Sequence, residues 1–180
     1  SERLRRIAEG EFSSSGGYLS RRGRMRPEIV RQLRESPFAG LDVIVDRRQG
    51  RRRLALEQQS GEPLPWMVWS AGQREIVPLL LALAWLAPGA GATRRDPVGW
   101  VLIEEPETGL HPRALSAVVL TIADLVARGY RVVTSTHSTQ LIEAAWAVAL
   151  AGTHGGSAGD VLSVLGAPNT PALRAMGERL

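Results

Sequence analysis

Three short strings in this chain carry side chains fit for phosphate chemistry. In VLIEEPETGLHP, Val101 to Pro112, an apolar run delivers two adjacent carboxylates, Glu104 and Glu105. Strand alternation would point them to opposite sides, so that one faces a Mg²⁺ shell and the other an attacking water. The plainer reading of the same pair is a solvated exit from the core. In WSAGQRE, Trp69 to Glu75, Ser70 is placed to cap a helix and Gly72 lets the backbone come close to a ligand. The first-turn amides and the helix dipole then make an anion site, although an ordinary N-cap would read the same way. In RVVTSTHSTQL, His137 follows an apolar run. It can hydrogen-bond a phosphate or a water, or simply pack.

These residues need elements to hold them. Val98 to Ile103 reads as a strand buried on both faces of a parallel sheet, which sets its terminal acids at the carboxyl edge, where open α/β sheets keep their ligands. Tyr130 to Ser135 reads as a second buried strand delivering His137 to the same edge. Pro112 to Arg128 is an amphipathic helix closed by Gly129, and Thr139 to Ala151 is another. Ile76 to Leu86 is almost wholly apolar and must be a helix buried over most of its surface, with Gly89 to Asp96 breaking it.

Ahead of these, Glu2 to Ala8 reads as a short helix and Ser13 to Gly17 as a loop. Pro27 starts a helix that ends before Pro37, with Ile29, Val30 and Leu33 on one face. Leu41 to Asp46 and RRLALEQQ form a β-hairpin across Gln49-Gly50, followed by a loop from Ser60 to Pro65. After residue 151, Gly152 to Gly159 reads as a loop, Val161 to Leu165 as a last strand and Pro171 to Leu180 as a terminal helix. Helix, strand, helix, strand, helix is an α/β pattern.

Composition narrows the classes further. At 180 residues, 44% hydrophobic and 22% charged, the chain is long enough for one domain with a sizeable core. It has no cysteine, so disulfides, thiolate metal sites and cysteine nucleophiles are excluded. All 22 of its cations are arginine, and without lysine there is no GxxxxGK[ST] phosphate loop in the chain itself. The longest uncharged run, Ile76 to Thr93, contains two prolines and falls short of the ~20 residues that span a bilayer, so the expectation is a cytoplasmic protein with no membrane contact. Residues 1–60 hold 14 arginines against 8 acids, while residues 61–180 hold 8 against 10. The clusters Arg21 to Arg26 and Arg47 to Arg53 suit a nucleic-acid backbone, but an arginine-only composition makes any solvated surface basic.

Taken together, SAGQ, IEEPETGLHP about thirty residues on, and STHS about thirty beyond that resemble the second half of an ABC-type ATPase nucleotide-binding domain. The resemblance is to the soluble branch with the structural-maintenance-of-chromosomes, RecF-like and OLD-like AAA family ATPases, over roughly Trp66 to Ala151. It implies the C-terminal lobe of a P-loop ATPase fold, a mostly parallel sheet with flanking helices and a preceding β-hairpin. Residues 66–180 would be that lobe, and residues 1–65 the end of the first lobe or an inserted arm. Carried over by position, Ser70, Ala71, Gly72 and Gln73 match the signature motif, which in that family contacts the γ-phosphate held by a second subunit. Glu104 takes the Walker B place that orients Mg²⁺, Glu105 the catalytic base, Gly109 to His111 the D-loop and His137 the switch histidine. Glutamate at 104 departs from the commoner aspartate.

The resemblance further implies ATP and Mg²⁺ as ligands and hydrolysis between two heads, identical or split, once a P-loop-bearing segment completes the site. A nucleic acid and an effector protein are its expected further partners, in DNA repair or phage defence. The rival expectation is a non-catalytic ABC-like module that binds a protein or nucleic acid, with the basic N-terminal part as the contact surface.

Overall fold

The computed structural model describes residues 25–47, 53–58, 60–87 and 97–180. The expected helix at Glu2 to Ala8, the loop at Ser13 to Gly17, the hairpin tip at Gln49-Gly50 and the break from Gly89 to Asp96 lie outside them. The chain forms two compact units, Ser1–Ala90 and Gly91–Leu180. Among the described residues, no helix is long and apolar enough to cross a membrane.

In the first unit, helix α1 (Pro27–Glu35) begins on its proline, where a missing N–H costs nothing, and buries Ile29 and Leu33. Strands β1 (Asp42–Asp46) and β2 (Arg53–Glu57) pair antiparallel, Val43 opposite Leu56 and Asp46 opposite Arg53, as the hairpin reading expects. The segment expected as a loop departs from that reading. Pro63–Pro65 is a third strand, β3, pairing antiparallel with β2 so that Ala55 faces Pro65 and Glu57 faces Pro63. Its two prolines lack ladder donors and are tolerated because β3 lies at the edge of the β1-β2-β3 sheet. Asp42, on the polar side of the sequence alternation, is nevertheless buried, with Arg34 Nε 3.9 Å from its carboxylate.

A 3₁₀ turn, Trp66–Val68, leads to helix α2 (Ala71–Leu86). Phe38 meets Trp69 edge-on at 6.2 Å between centroids, and the Trp69 indole N–H donates to the Leu64 carbonyl. Seven apolar residues of α2, from Ile76 to Leu86, are buried, as its composition requires. Pro78 sits inside the helix on the exposed stripe with Ala71 and Glu75.

In the second unit, β4 (Trp100–Glu104) and β5 (Arg131–Ser135) form a parallel pair with Trp100 opposite Arg131 and Glu104 opposite Ser135. Helix α3 (Pro112–Ala127) crosses between them and supplies much of the unit's core, with Ala117, Val118 and Leu120 fully buried. Arg128 ends it with Nε 2.7 Å from the buried Asp124 carboxylate, and Gly129 turns out of it at φ +90°. The expectation of strands buried on both faces fails here: Trp100, Leu102 and Val133 are 57%, 75% and 50% exposed. Alternate residues Val101, Ile103, Val132 and Thr134 turn to the other, more covered face, so each strand has one covered side.

Helix α4 (Thr139–His154) runs three residues beyond the expected end and stops at Gly155 in the left-handed region. The expected loop of residues 152–159 is therefore mostly helix end and cap. The expected strand at Val161 to Leu165 is corrected as well, because it lies in helix α5 (Ala158–Val164) and its cap. Ser157 and Asp160 form a capping box, and Val161, Leu162 and Leu165 recur at helical spacing, all buried. Helix α6 (Pro171–Gly177) closes the chain with Leu173 and Met176 fully buried.

Candidate functional site

The carboxyl ends of β4 and β5 lie side by side because the two strands are parallel and in register. Glu104 is the last residue of β4 and is exposed. Glu105 is the first beyond it and takes φ +42°, a left-handed backbone that costs a residue with a Cβ about 1–3 kcal/mol and that recurs where a side chain is held for function. This conformation, rather than strand alternation, sets Glu105 apart from Glu104. Its amide donates to the Ser135 carbonyl at 3.0 Å, which continues the β4–β5 ladder one step past the strand. The loop then folds on itself, with the Thr108 amide donating to the Glu105 carbonyl at 3.0 Å and the Thr108 hydroxyl to the Glu105 carboxylate at 3.3 Å.

His137 stands on the turn after β5, and its Nε2 lies 3.6 Å from Glu105 Oε1. Both side chains are solvent-facing, so a ligand or a water can reach them. The structure thus brings together the two residues assigned to base and switch, which are 32 positions apart in the chain. His111 is the N-cap of α3, its Nδ1 accepting from the Arg113 amide at 3.3 Å, which ties down one ring nitrogen.

In the first unit, Ser70 caps α2 in a full capping box. Its hydroxyl accepts from the Gln73 amide at 3.2 Å, and the Gln73 side chain accepts from the Ser70 amide at 3.0 Å. Gln73 Nε2 also donates to the Pro37 carbonyl, anchoring the helix start to the segment after α1. Ala71 and Gly72 form the first turn, Ala71 exposed and Gly72 half-buried. The capping box takes up the Gln73 amide, which leaves the Ala71 and Gly72 amides at the start of a helix that is held in place.

Sequence reasoning gave no role to Glu107. Its Oε1 accepts three hydrogen bonds from the turn after β5: from the Thr136 hydroxyl at 2.7 Å, the His137 amide, and the Ser138 amide at 3.1 Å. Partial burial raises the carboxyl's pKa. The bonds from Thr136, from its own amide and from His137 and Ser138 outweigh that effect and hold it below the ordinary glutamate range. The available signal was a third acid two places after Glu105, together with the run Thr134 to Thr139, whose hydroxyls and amides need acceptors.

Among the described residues, no group of three or more His, Asp or Glu side chains forms a metal cage. The donor chemistry still suits Mg²⁺, which usually takes only one or two carboxylates and completes its shell with waters and substrate phosphates. An exposed Glu104 at a strand end offers one carboxylate of that kind.

No curated protein matches the chain. A family model does: the one described as "AAA domain, putative AbiEii toxin, Type IV TA system" matches residues 4–143. The match begins well ahead of Trp66, takes in helix α1 and the hairpin, and ends within α4, so it includes Ser70 to Gln73, Glu104, Glu105 and His137. Covering more than half of the sequence and reaching from the first compact unit into the second, it shows that the chain belongs to this AAA domain family, a nucleotide-binding, ATPase-like class of domain.

Proposed function

We propose that the protein carrying this chain hydrolyses ATP at a site to which Glu104, Glu105 and His137 contribute. The observation behind this reading is the Glu105–His137 approach at 3.6 Å, on adjacent loops at the carboxyl edge of a parallel strand pair. In the hydrolytic step, water attacks the γ-phosphorus, the bond to the β,γ-bridging oxygen breaks, and the proton lost by the water goes to the Glu105 carboxylate. His137 faces that carboxylate and is placed to orient the water or donate to a γ-phosphate oxygen. Mg²⁺, when bound by Glu104, neutralises developing phosphate charge.

The SAGQ turn at the start of α2 takes the signature role, presenting amides to the γ-phosphate of a nucleotide bound on a second head. Because the chain lacks lysine, the phosphate-loop cradle comes from a segment outside it. ATP closes the two heads, hydrolysis reopens them, and the cycle drives an effector, consistent with the toxin–antitoxin wording of the family description. Within the soluble ATPases, the SMC, RecF and OLD-like branch is the one whose wording EEPETGLHP resembles.

Phosphate release from Mg-ATP by the complete protein tests the reading against a His137→Ala variant. Turnover should fall at least ~10-fold with the fold intact, the size that loss of one positioned polar group commonly produces. Equal turnover in the two proteins would remove His137 from the reaction.

A further inference from the structure

We infer that Glu107 is a positioning residue for this reaction: its carboxylate fastens the turn carrying His137 to the loop carrying Glu105, and thereby sets the distance between the two. The inference deepens the hydrolysis reading and rests on it.

His137 is 87% exposed along its side chain, so packing does not hold the imidazole in place. Its position follows from the main chain of Thr136 to Ser138. The Ser138 hydroxyl makes no cap bond to α4, although Ser138 is its N-cap residue. The turn is held instead by Glu107 Oε1, which accepts from Thr136, His137 and Ser138 together, while Thr136 Oγ1 takes a second bond from the Ser138 amide at 3.0 Å. The other end of the tie is equally fixed. Glu107 lies two residues after Glu105, within the turn closed by the Thr108 amide on Glu105 and the Leu110 amide on Glu107.

The arrangement is costly, which argues for a role beyond loop closure. Glu107 Oε2 is buried and has no hydrogen-bond partner among the described residues, and an unpaired buried acceptor forfeits its hydration. Glu105, two residues before it, has a left-handed backbone. A buried carboxylate oxygen with no partner among the described residues and a strained residue both sit where the proposed base and switch histidine meet. Freeing the turn by even 1 Å can cost a reaction ~10²-fold, because reacting groups must meet in one geometry.

The test compares Glu107→Ala, Glu107→Gln and Thr136→Val in the complete protein, by steady-state kinetics with Mg-ATP and by hydrogen–deuterium exchange of the segment containing His137 and Ser138. Glu107→Ala should lower kcat ~10- to 100-fold with KM within about 3-fold, and exchange in that segment should quicken. Glutamine keeps a carbonyl acceptor in place of Oε1 and should restore most of both. Thr136→Val, which removes one of the three donors, should show a smaller kcat loss at unchanged KM. A Glu107→Ala kcat within 2-fold of wild type would overturn the proposal, as would a Gln variant as slow as Ala despite wild-type exchange. Should Glu107→Ala fail to fold, Thr136→Val decides: a kcat loss at constant KM supports the tie and an unchanged kcat refutes it. A wild-type protein without turnover would sink the hydrolysis reading. The exchange difference between wild type and Glu107→Ala would then still show whether Glu107 holds the turn, so the two failures are distinguishable.

Discussion

At the scale of single residues, the site is a set of acceptors arranged around two loops, and Glu107 links them most tightly. Its carboxyl is depressed in the folded protein, so it adds stability that is complete above the ordinary glutamate range, about pH 4.3, and is lost as pH falls through the lower folded value. The melting temperature of wild type should therefore exceed that of Glu107→Ala at pH 7, with the gap narrowing as pH drops toward 3. Scanning both proteins by calorimetry across that range checks the sign; a gap that widens on acidification would contradict it. Glu104, Glu105 and His137 could be proposed from the sequence because the patterns that single them out are short contiguous strings. Glu107 was not, since its partners Thr136 to Ser138 are about thirty residues away and become its neighbours only when β4 and β5 pair.

Among elements, the helices α1 to α3 could be read because each carries a start or stop of plain chemistry: Pro27, Ser70, Pro112 and the turn glycine Gly129, whereas the end of α4 at Gly155 was placed three residues too early. Two elements were misread for physical reasons. Prolines mask β3, whose pairing uses the donors of β2 at a sheet edge, and the short apolar run at α5 fits either period until the Ser157 cap is weighed. Gly129 is the sharpest test at this scale. A Cβ there would meet nothing within 4 Å, but the residue sits at φ +90°, so Gly129→Ala should cost about 1 kcal/mol through backbone conformation alone. Urea unfolding of the two proteins measures it, and an unchanged midpoint would mean that α3 does not end in this left-handed turn.

For the whole molecule, the two compact units divide the candidate chemistry, with Ser70 to Gln73 on one and Glu104, Glu105 and His137 on the other. The α/β class was legible from the order of apolar runs, and the family match bears out an ATPase-like domain. The open face bearing Trp100, Leu102 and Val133 was not, because a continuous apolar run looks the same whether one or both faces are covered. If the signature turn acts on the nucleotide of a second head, Gly72→Arg should spare nucleotide binding by each head while abolishing ATP-dependent pairing and turnover. Mixing it with a phosphate-loop mutant should then restore part of the activity, since both lesions can fall on one composite site. No recovery in verified mixed dimers would count against action in trans.

The central claim is that Glu105 is the base of a nucleotide-hydrolysing site, and Glu105→Gln in the complete protein tests it most directly. Glutamine keeps size and hydrogen bonding but cannot take the proton, so phosphate release from Mg-ATP should slow ~10²-fold or more while bound ATP is retained. Following phosphate release and bound nucleotide in the same samples separates the two steps. Slowed release with ATP held on the protein is the result expected from the carboxylate–histidine geometry at the β4–β5 edge. Wild-type release rates from Glu105→Gln would contradict it and move the base role to another group.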